Sequence, residues 1–230
     1  MPTAAPYDEI ADWYETVFLA SQRAGGAPGA YADALGIDRA LVELLGEGEG
    51  TCLEVGCGTG IYAERVRGLG WQPVGVDLSA GMLHHAKPRL PVARADACRL
   101  PCAPESLEAV TSVMVHTDLP EYAPVLEEAH RVLKPGGVFI HVGVHPCFCG
   151  GFADRSDPEG IVIRQGYLDG RWTTESWTDQ GVRDKVGATH LPLADLLNAM
   201  VGTGFGVDRV TEGGEPTPTT LSVRLRKPRS

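Results

Sequence analysis

A chain of 230 residues, 43% of them hydrophobic, can bury a full core and reads most simply as one domain. Its formal net charge of −10 argues against a nucleic-acid groove, because neutralising phosphates needs a basic surface. No apolar run approaches the roughly 20 residues of a membrane span, and the opening MPTAAPYDEIADW is acidic rather than leader-like, so a cytoplasmic protein is expected.

Residues 10–23 have the spacing of an amphipathic helix, GGAPGA breaks it, and GIDRALVELL predicts a second helix. Together residues 1–49 form an expected N-terminal helical cap. TCLEV (51–55) is a short apolar strand that runs into Gly56, Gly58 and Gly60, after which IYAERVRGL resumes at helical spacing. PVGVDL, PVARAD, EAVTSVMV and GVFIHVGV predict four further strands. AGMLHHAK and EYAPVLEEAHRVL predict the helices among them, the latter stopped by Pro135-Gly136-Gly137. Strands alternating with helices indicate a parallel sheet wound on both faces.

From Pro146 to Thr189 the alternation lapses into a polar and aromatic segment containing Phe148, Phe152, Tyr167, Trp172 and Trp177, with one strand-like run, GIVIRQGYL. An insertion beyond a strand's end lies over the crevice of an open α/β sheet, so this segment is expected to be a lid. PLADLLNAMVGTG then predicts a helix with core-packing Leu and Met, followed by strands GVDRVTE and TLSVRLR. The expected fold is α/β: a Rossmann-like, doubly wound seven-stranded sheet, mostly parallel with an antiparallel last strand. Residues 50–145 would be its cofactor-binding core and 190–230 its C-terminal helix and strands.

The cysteines do not suggest a metal. Cys52 lies in a strand and Cys57 in the glycine turn, while Cys98/Cys102 and Cys147/Cys149 lack the paired C-x-x-C spacing of a structural zinc site. Free thiols are expected. The basic end RLRKPRS reads as a solubilising tail.

The ligand follows from glycines and acids. Strand, glycine turn, helix is a nucleotide-binding unit, but the spacing G-x-G-x-G fits the dinucleotide fingerprint G-x-G-x-x-G poorly. Asp77 ends the next strand, where a carboxylate can accept hydrogen bonds from two ribose hydroxyls. Glu54, Asp77 and Asp96 gather at one edge, where a pyrophosphate would meet like charge. A ligand carrying an ammonium and a sulfonium would be attracted, so S-adenosylmethionine fits better than a dinucleotide.

LEVGCGTG, VGVDLSAGML, RADACRLP and RVLKPGGVF, in that order over about residues 50–145, resemble the glycine, ribose, adenine and fifth-strand motifs of class I S-adenosylmethionine-dependent methyltransferases. The resemblance implies that Glu54 and Gly56, Gly58 and Gly60 approach the methionine moiety, and that Asp77 meets the ribose. It places Asp96 with Ala97 at the adenine edge and Leu78 with Met82 on the adenine faces. Val113, closing the fourth strand, joins this cofactor set. YDEIADWYE resembles the family's opening, in which tyrosines close over the cofactor. Tyr14 is therefore assigned to the cofactor and Tyr7 to the substrate. Leu107-Glu108 departs from the family's usual Phe-Asp, and Cys102 from its usual aromatic.

Methyl transfer needs a base only if the nucleophile must lose a proton, and histidine suits that near neutral pH. His84, His85 and His130 fall on helices away from the crevice, and His141 reads as a core residue. His116, His145 and His190 follow or precede elements that converge on the crevice. Of these, His145 and His190 are the expected catalytic residues, while His116, Phe148 and Trp172 are expected to face a substrate. The expected activity is methyl transfer to a mostly apolar small molecule through oxygen, nitrogen or carbon, of the bacterial secondary-metabolite type. Oligomeric state, monomer or homodimer, stays open. The alternatives are a non-methylating protein on the same fold, pericyclase-type or regulatory, and a nicotinamide-dependent oxidoreductase.

Overall fold

The structure is a computed structural model and describes residues 5–20, 33, 35–157, 159–174, 181–215 and 217–229. Trp177 and residues 21–23 of the first expected helix lie outside them. That helix begins as α1 (Ala11–Trp13) and widens into a π turn over Tyr14–Phe18, preceded by a 3-10 turn at Pro6–Glu9.

Helix α2 (Ile37–Leu45) shows why the pattern folds as it does. Ile37, Ala40, Leu41, Leu44 and Leu45 are buried, which is the i, i+3, i+4, i+7, i+8 stripe of a helix with one face on a core. Asp33 starts it, accepting the Asp38 and Arg39 amides at 3.0 and 2.9 Å and so satisfying orphan first-turn donors. Strands β1 (Thr51–Val55), β2 (Gln72–Asp77), β3 (Val92–Arg94), β4 (Leu107–Val113) and β5 (Leu133–Val144) pair in parallel. Between them run α3 (Ala63–Gly68), α4 (Ala80–Ala86) and α5 (Ala123–Val132). The insertion holds two short antiparallel pairs, β6 (Ala153–Asp154) with β7 (Val162–Ile163) and β8 (Trp172–Thr173) with β9 (Ala188–Thr189), with α6 (Val182–Val186) between the strands of the second. Helix α7 (Leu193–Gly202), β10 (Gly206–Gly213) and β11 (Thr220–Arg226) complete the chain.

The seven-stranded order is β10-β11-β5-β4-β1-β2-β3. The last strand, β11, slots antiparallel between β5 and β10, so the expected doubly wound sheet with an antiparallel last strand is the fold observed. One core packs α5 and α7 against Leu53, Val110, Phe139 and Val223, and a second packs α2 against Ala109, Ile140 and Val142 on the other face. Because β1 leads to β2 on one side and β4 on the other, the strand order reverses there, and ligand crevices form at such a point.

Three details differ from the sequence pattern. β5 begins at Leu133, before Pro135-Gly136-Gly137, because Leu133 already pairs with Leu107 ahead of a register shift. Of GIVIRQGYL only Val162–Ile163 is strand, both residues exposed, since no second face covers the run. Glu108, the departure from Phe-Asp, accepts the Thr51 amide at 2.8 Å and pairs with Lys134, so it ties β4 to the starts of β1 and β5.

Candidate active site

The glycine turn after β1 is held open by its own backbone. Gly56, Gly58 and Gly60 have φ of 63°, 53° and 73°, a region that side-chain-bearing residues rarely adopt. A Cβ on Gly56 would strike Val115 at 2.6 Å, whereas one on Gly58 would point into open space. The Asp77 carboxylate braces this turn, accepting Gly58 N and Ser79 N, each at 2.8 Å. Two amides leave lone pairs on the same oxygens for further donors.

Glu54 is 4% exposed and its Oε2 has no hydrogen-bond partner among the described residues. Burial, with the neighbouring Asp77 charge, pushes its carboxyl up to about 8. Burial likewise raises Asp77, partly offset by its two amide bonds. Two acids short of counter-charge form a crevice that gains from a bound cation. Met82 and Val113 are buried beside it, Leu78 and Ala97 half-buried. Asp96 lies two residues past β3, exposed, and accepts the Cys98 amide at 2.8 Å.

The N-terminal cap is strapped across this edge. Asp8 accepts Ser79 Oγ at 2.7 Å and Gly81 N at 2.9 Å, bonds that hold its carboxyl below the usual range. Asp12 meets His85 at 2.8 Å, and Glu15 pairs with Arg89, which also donates to the Thr59 carbonyl of the glycine turn at 2.7 Å. The strap thereby fixes Tyr7 and Tyr14 edge to face, ring centroids 6.0 Å apart. Burial keeps both phenols protonated, Asp118 adding to the effect.

Asp118 and Arg183 escaped the sequence reading. Asp118 lies just past β4; it accepts the Tyr7 hydroxyl at 3.2 Å and pairs with Arg183 of α6, whose Nη2 donates to Thr117 Oγ1 at 2.9 Å. Burial opposes charge on Arg183, but Asp118 outweighs it and holds the guanidinium protonated. This ion pair joins strap, β4 loop and insertion. Lys185 adds a second tie, 4.9 Å over the Trp13 ring. An Arg in the polar run VRDK resembles surface, and only contacts across 65 residues reveal otherwise.

Beside the knot a cavity of about 110 Å³ is lined by His116, Thr117, Pro146, Phe152, Thr189 and His190, among others. Three of its lining residues each carry a buried polar atom that lacks a partner among the described residues: His116 Nδ1, Thr189 Oγ1 and His190 Nε2. Phe152 and Tyr167 pack on His190, centroids 4.7 and 5.3 Å away. Burial lowers His190, partly offset by the Tyr167 backbone, and lowers His116 further, so both rings are neutral near pH 7.

The cavity therefore unites His116 and His190 from the expected set, but His145, Phe148 and Trp172 sit elsewhere. His145 spends both ring nitrogens, Nδ1 accepting Cys147 N at 3.1 Å and Nε2 meeting Glu212 at 2.8 Å. With the Phe148 ring packed on it at a tilt, centroids 4.6 Å apart, it lines a separate cavity of about 370 Å³ bounded by Leu193, Leu197, Val210 and Leu221. Trp172 is 46% exposed and its ring lies against Gly187. Among the described residues no group of His, Cys, Asp and Glu is placed to hold a metal ion, and no helix is long and apolar enough to cross a membrane.

Residues 53–141 match the family model described as a methyltransferase domain. A demethylmenaquinone methyltransferase of Oceanobacillus iheyensis is 32% identical over 128 residues, 51% of this chain and 49% of that protein. The match thus spans about half of that relative's length. Among solved structures, an S-adenosylmethionine-dependent methyltransferase of Mesorhizobium loti superposes with a TM-score of 0.71 at 24% identity, covering 87% of this chain and all of that one. A [4+2]-cyclase, SpnF, superposes with a TM-score of 0.69 at 20% identity, covering 100% of this chain and 99% of that one.

Proposed function

Because residues 53–141 belong to the methyltransferase domain family, on the class I fold that uses S-adenosylmethionine, we propose that this chain methylates a mostly apolar small molecule. The molecule is seated in the cavity beneath Phe152 and His190. One observation carries the reading: the segment His116–Asp118 borders both compartments. Its first two residues line the cavity, while Asp118 bonds Tyr7 and acts electrostatically on Asp77 in the crevice.

When bound, S-adenosylmethionine supplies a methyl group on a positively charged sulfur, and catalysis rests mainly on holding a nucleophile in line with it. The crevice fits this cofactor, since it offers an unpartnered buried carboxylate oxygen at Glu54 and open space over Gly58. In this reading Glu54, Gly56, Gly58 and Gly60 hold the methionine end and Asp77 the ribose hydroxyls. Asp96 and Ala97 hold the adenine edge, with Leu78, Met82 and Val113 on its faces and Tyr14 closing over it. The insertion 146–189 acts as the lid, and Arg183 pins it to the strap through Asp118 and Tyr7. His190 Nε2 orients the acceptor. His145, with both nitrogens occupied, stays outside the chemistry. Six free thiols suit a reducing, cytoplasmic setting.

Titration calorimetry with S-adenosylmethionine tests the crevice, and absence of binding overturns the reading. A panel of apolar hydroxy, phenolic and indolic metabolites, read by a mass gain of one methyl together with S-adenosylhomocysteine, tests the transfer. A second reading, a non-methylating cyclase or regulatory protein on the same fold, draws on the full-length likeness to the [4+2]-cyclase. Cofactor binding without methylation of any panel member, coupled to rearrangement of one, would favour it.

A further inference from the structure

Arg89 joins two parts of the chain whose link the reading above leaves unused. Its Nη1 donates to the Thr59 carbonyl at 2.7 Å and to Glu15 Oε2 at 3.1 Å, while Nη2 closes a second bond to Glu15 Oε1. Glu15 belongs to the strap and Thr59 to the glycine turn, so one guanidinium ties them together. Both side chains are largely withdrawn from water, Glu15 12% and Arg89 32% exposed. The planar fork of an arginine suits this task, because an ammonium cannot make two parallel bonds to a carboxylate.

The segment that carries Arg89 is seated against the turn. The amides of Arg89 and Leu90 both bond to the Ala86 carbonyl, at 2.8 and 3.2 Å, and Arg67 Nη2 donates to the Arg89 carbonyl at 2.8 Å. Leu90 is buried and fills the space beside Gly60, where a Cβ would lie 2.4 Å from its Cδ2. The Thr59–Gly60 peptide is therefore gripped at both ends. Arg89 holds its carbonyl, and its N–H, on Gly60, donates to the Cys57 carbonyl at 2.8 Å. A peptide next to a glycine at positive φ can rotate at little steric cost, so hydrogen bonds fix it. The bond from the charged donor is the stronger of the two.

We infer that Arg89 is a positioning residue for the methionine end of the cofactor, acting through the Thr59 carbonyl and held in place by Glu15. The inference rests on the methyl-transfer reading, in which Gly56, Gly58 and Gly60 hold that end. It makes the strap a determinant of cofactor affinity through the shape of the turn.

Two measurements test this, the first without any ligand. Amide hydrogen exchange of the free protein should speed up about tenfold at Gly60 in Arg89→Met, with the amides of β4 and β5 unchanged. Glu15→Gln, which keeps the side chain's shape and removes its charge, should act in the same direction and less. Calorimetry then compares S-adenosylhomocysteine with methylthioadenosine, two adenosyl thioethers with uncharged sulfur, of which only the first has the amino-acid end. Arg89→Met should lower affinity for the first by about tenfold or more, the scale of one charge-assisted hydrogen bond, and keep the second within about twofold. Arg89→Lys should recover part of the loss, since one ammonium can still meet the Thr59 carbonyl. Unchanged exchange at Gly60 would overturn the inference whatever the affinities do, because an ion pair from Arg89 to the ligand's own carboxylate needs no hold on the turn. Equal losses for both ligands, the mark of a general loss of stability, would overturn it too. Wild-type protein that binds neither ligand removes the cofactor reading instead, and exchange at Gly60 then still decides whether Arg89 grips the turn.

Discussion

The two halves of the proposed site are built differently. The cofactor side is made of backbone: three glycines at positive φ, a carboxylate bonded to two amides and a capped helix within 30 residues of one another. The acceptor side is made of side chains from β4, the insertion and the N-terminal strap, joined by contacts such as Tyr7 with Asp118 and Arg183 with Thr117. A backbone-built site tolerates little change in sequence, because any Cβ or lost amide bond alters its shape. A side-chain-built site can be rewritten one residue at a time, so one fold serves many chemistries.

The sharpest break in that comparison is Asp77→Ala. It removes an anion braced by two amides and, in the proposed reading, offered to two ribose hydroxyls; hydrogen bonds to charged groups contribute about 1.5–3 kcal/mol each. Affinity for S-adenosylmethionine should fall by about 100-fold or more in calorimetry, with circular dichroism unchanged. Affinity near that of the wild type would detach Asp77 from the ribose.

Next in size is the knot. Arg183→Met strands the Asp118 carboxylate, whose side chain is 24% exposed, so about 2–3 kcal/mol is expected rather than the full cost of a wholly buried orphan. At ~2–4 °C per kcal/mol for a chain of this size, the melting temperature should drop by about 5–10 °C. Adding Asp118→Asn should recover part of the loss if the pair is coupled. Additive losses would mean the two residues act separately.

His190→Ala probes the acceptor side alone. It should leave cofactor affinity within a few-fold and lower turnover of a methylated panel acceptor by about 10²-fold, the usual scale for a positioned acid–base group. Turnover equal to wild type would remove His190 from the acceptor's neighbourhood.

The same division decided what could be read from sequence. Glycine turn, Asp77 and the alternating elements are local signals, each complete within about ten residues, and they carry the parallel sheet with helices on both faces. Asp118 and Arg183 acquire meaning only from partners far along the chain. His141 reads as a core residue because its place in a strand marks it as buried, and the structure buries it completely. His145 follows β5 at the crevice edge, and its ring turns toward Glu212 of β10, a direction that no local pattern shows.

Within the cofactor side, pH provides a finer test. Glu54 is pushed up to about 8, so at pH 7 it is largely protonated in the free protein. A bound cation favours the ionised form, hence binding should release a proton. Affinity should rise with pH between about 6 and 8, by at most about tenfold per unit, and level off above. Stability of the free protein runs the other way. The folded state retains the proton between the unfolded value near 4.5 and about 8, so stability declines across that window as pH rises. Glu54→Gln should abolish both slopes. Calorimetry in buffers of different ionisation enthalpy reads the proton directly, and its absence in the wild type would place the cation away from Glu54.

The smallest effect expected is also the one that best separates the compartments. His145→Ala removes a ring that bonds Cys147 N and Glu212 and packs on Phe148, all facing the second cavity. Losing one or two net hydrogen bonds, at about 1 kcal/mol each, should lower the melting temperature by about 2–8 °C. Neither cofactor affinity nor acceptor turnover should change by more than about threefold, and the pH profile of turnover should keep its shape. If instead turnover fell by 10²-fold at unchanged stability, His145 would have to leave Glu212 during the reaction. The acceptor side would then extend across Pro146 into the second cavity, whose apolar lining would become the place to seek the rest of the substrate.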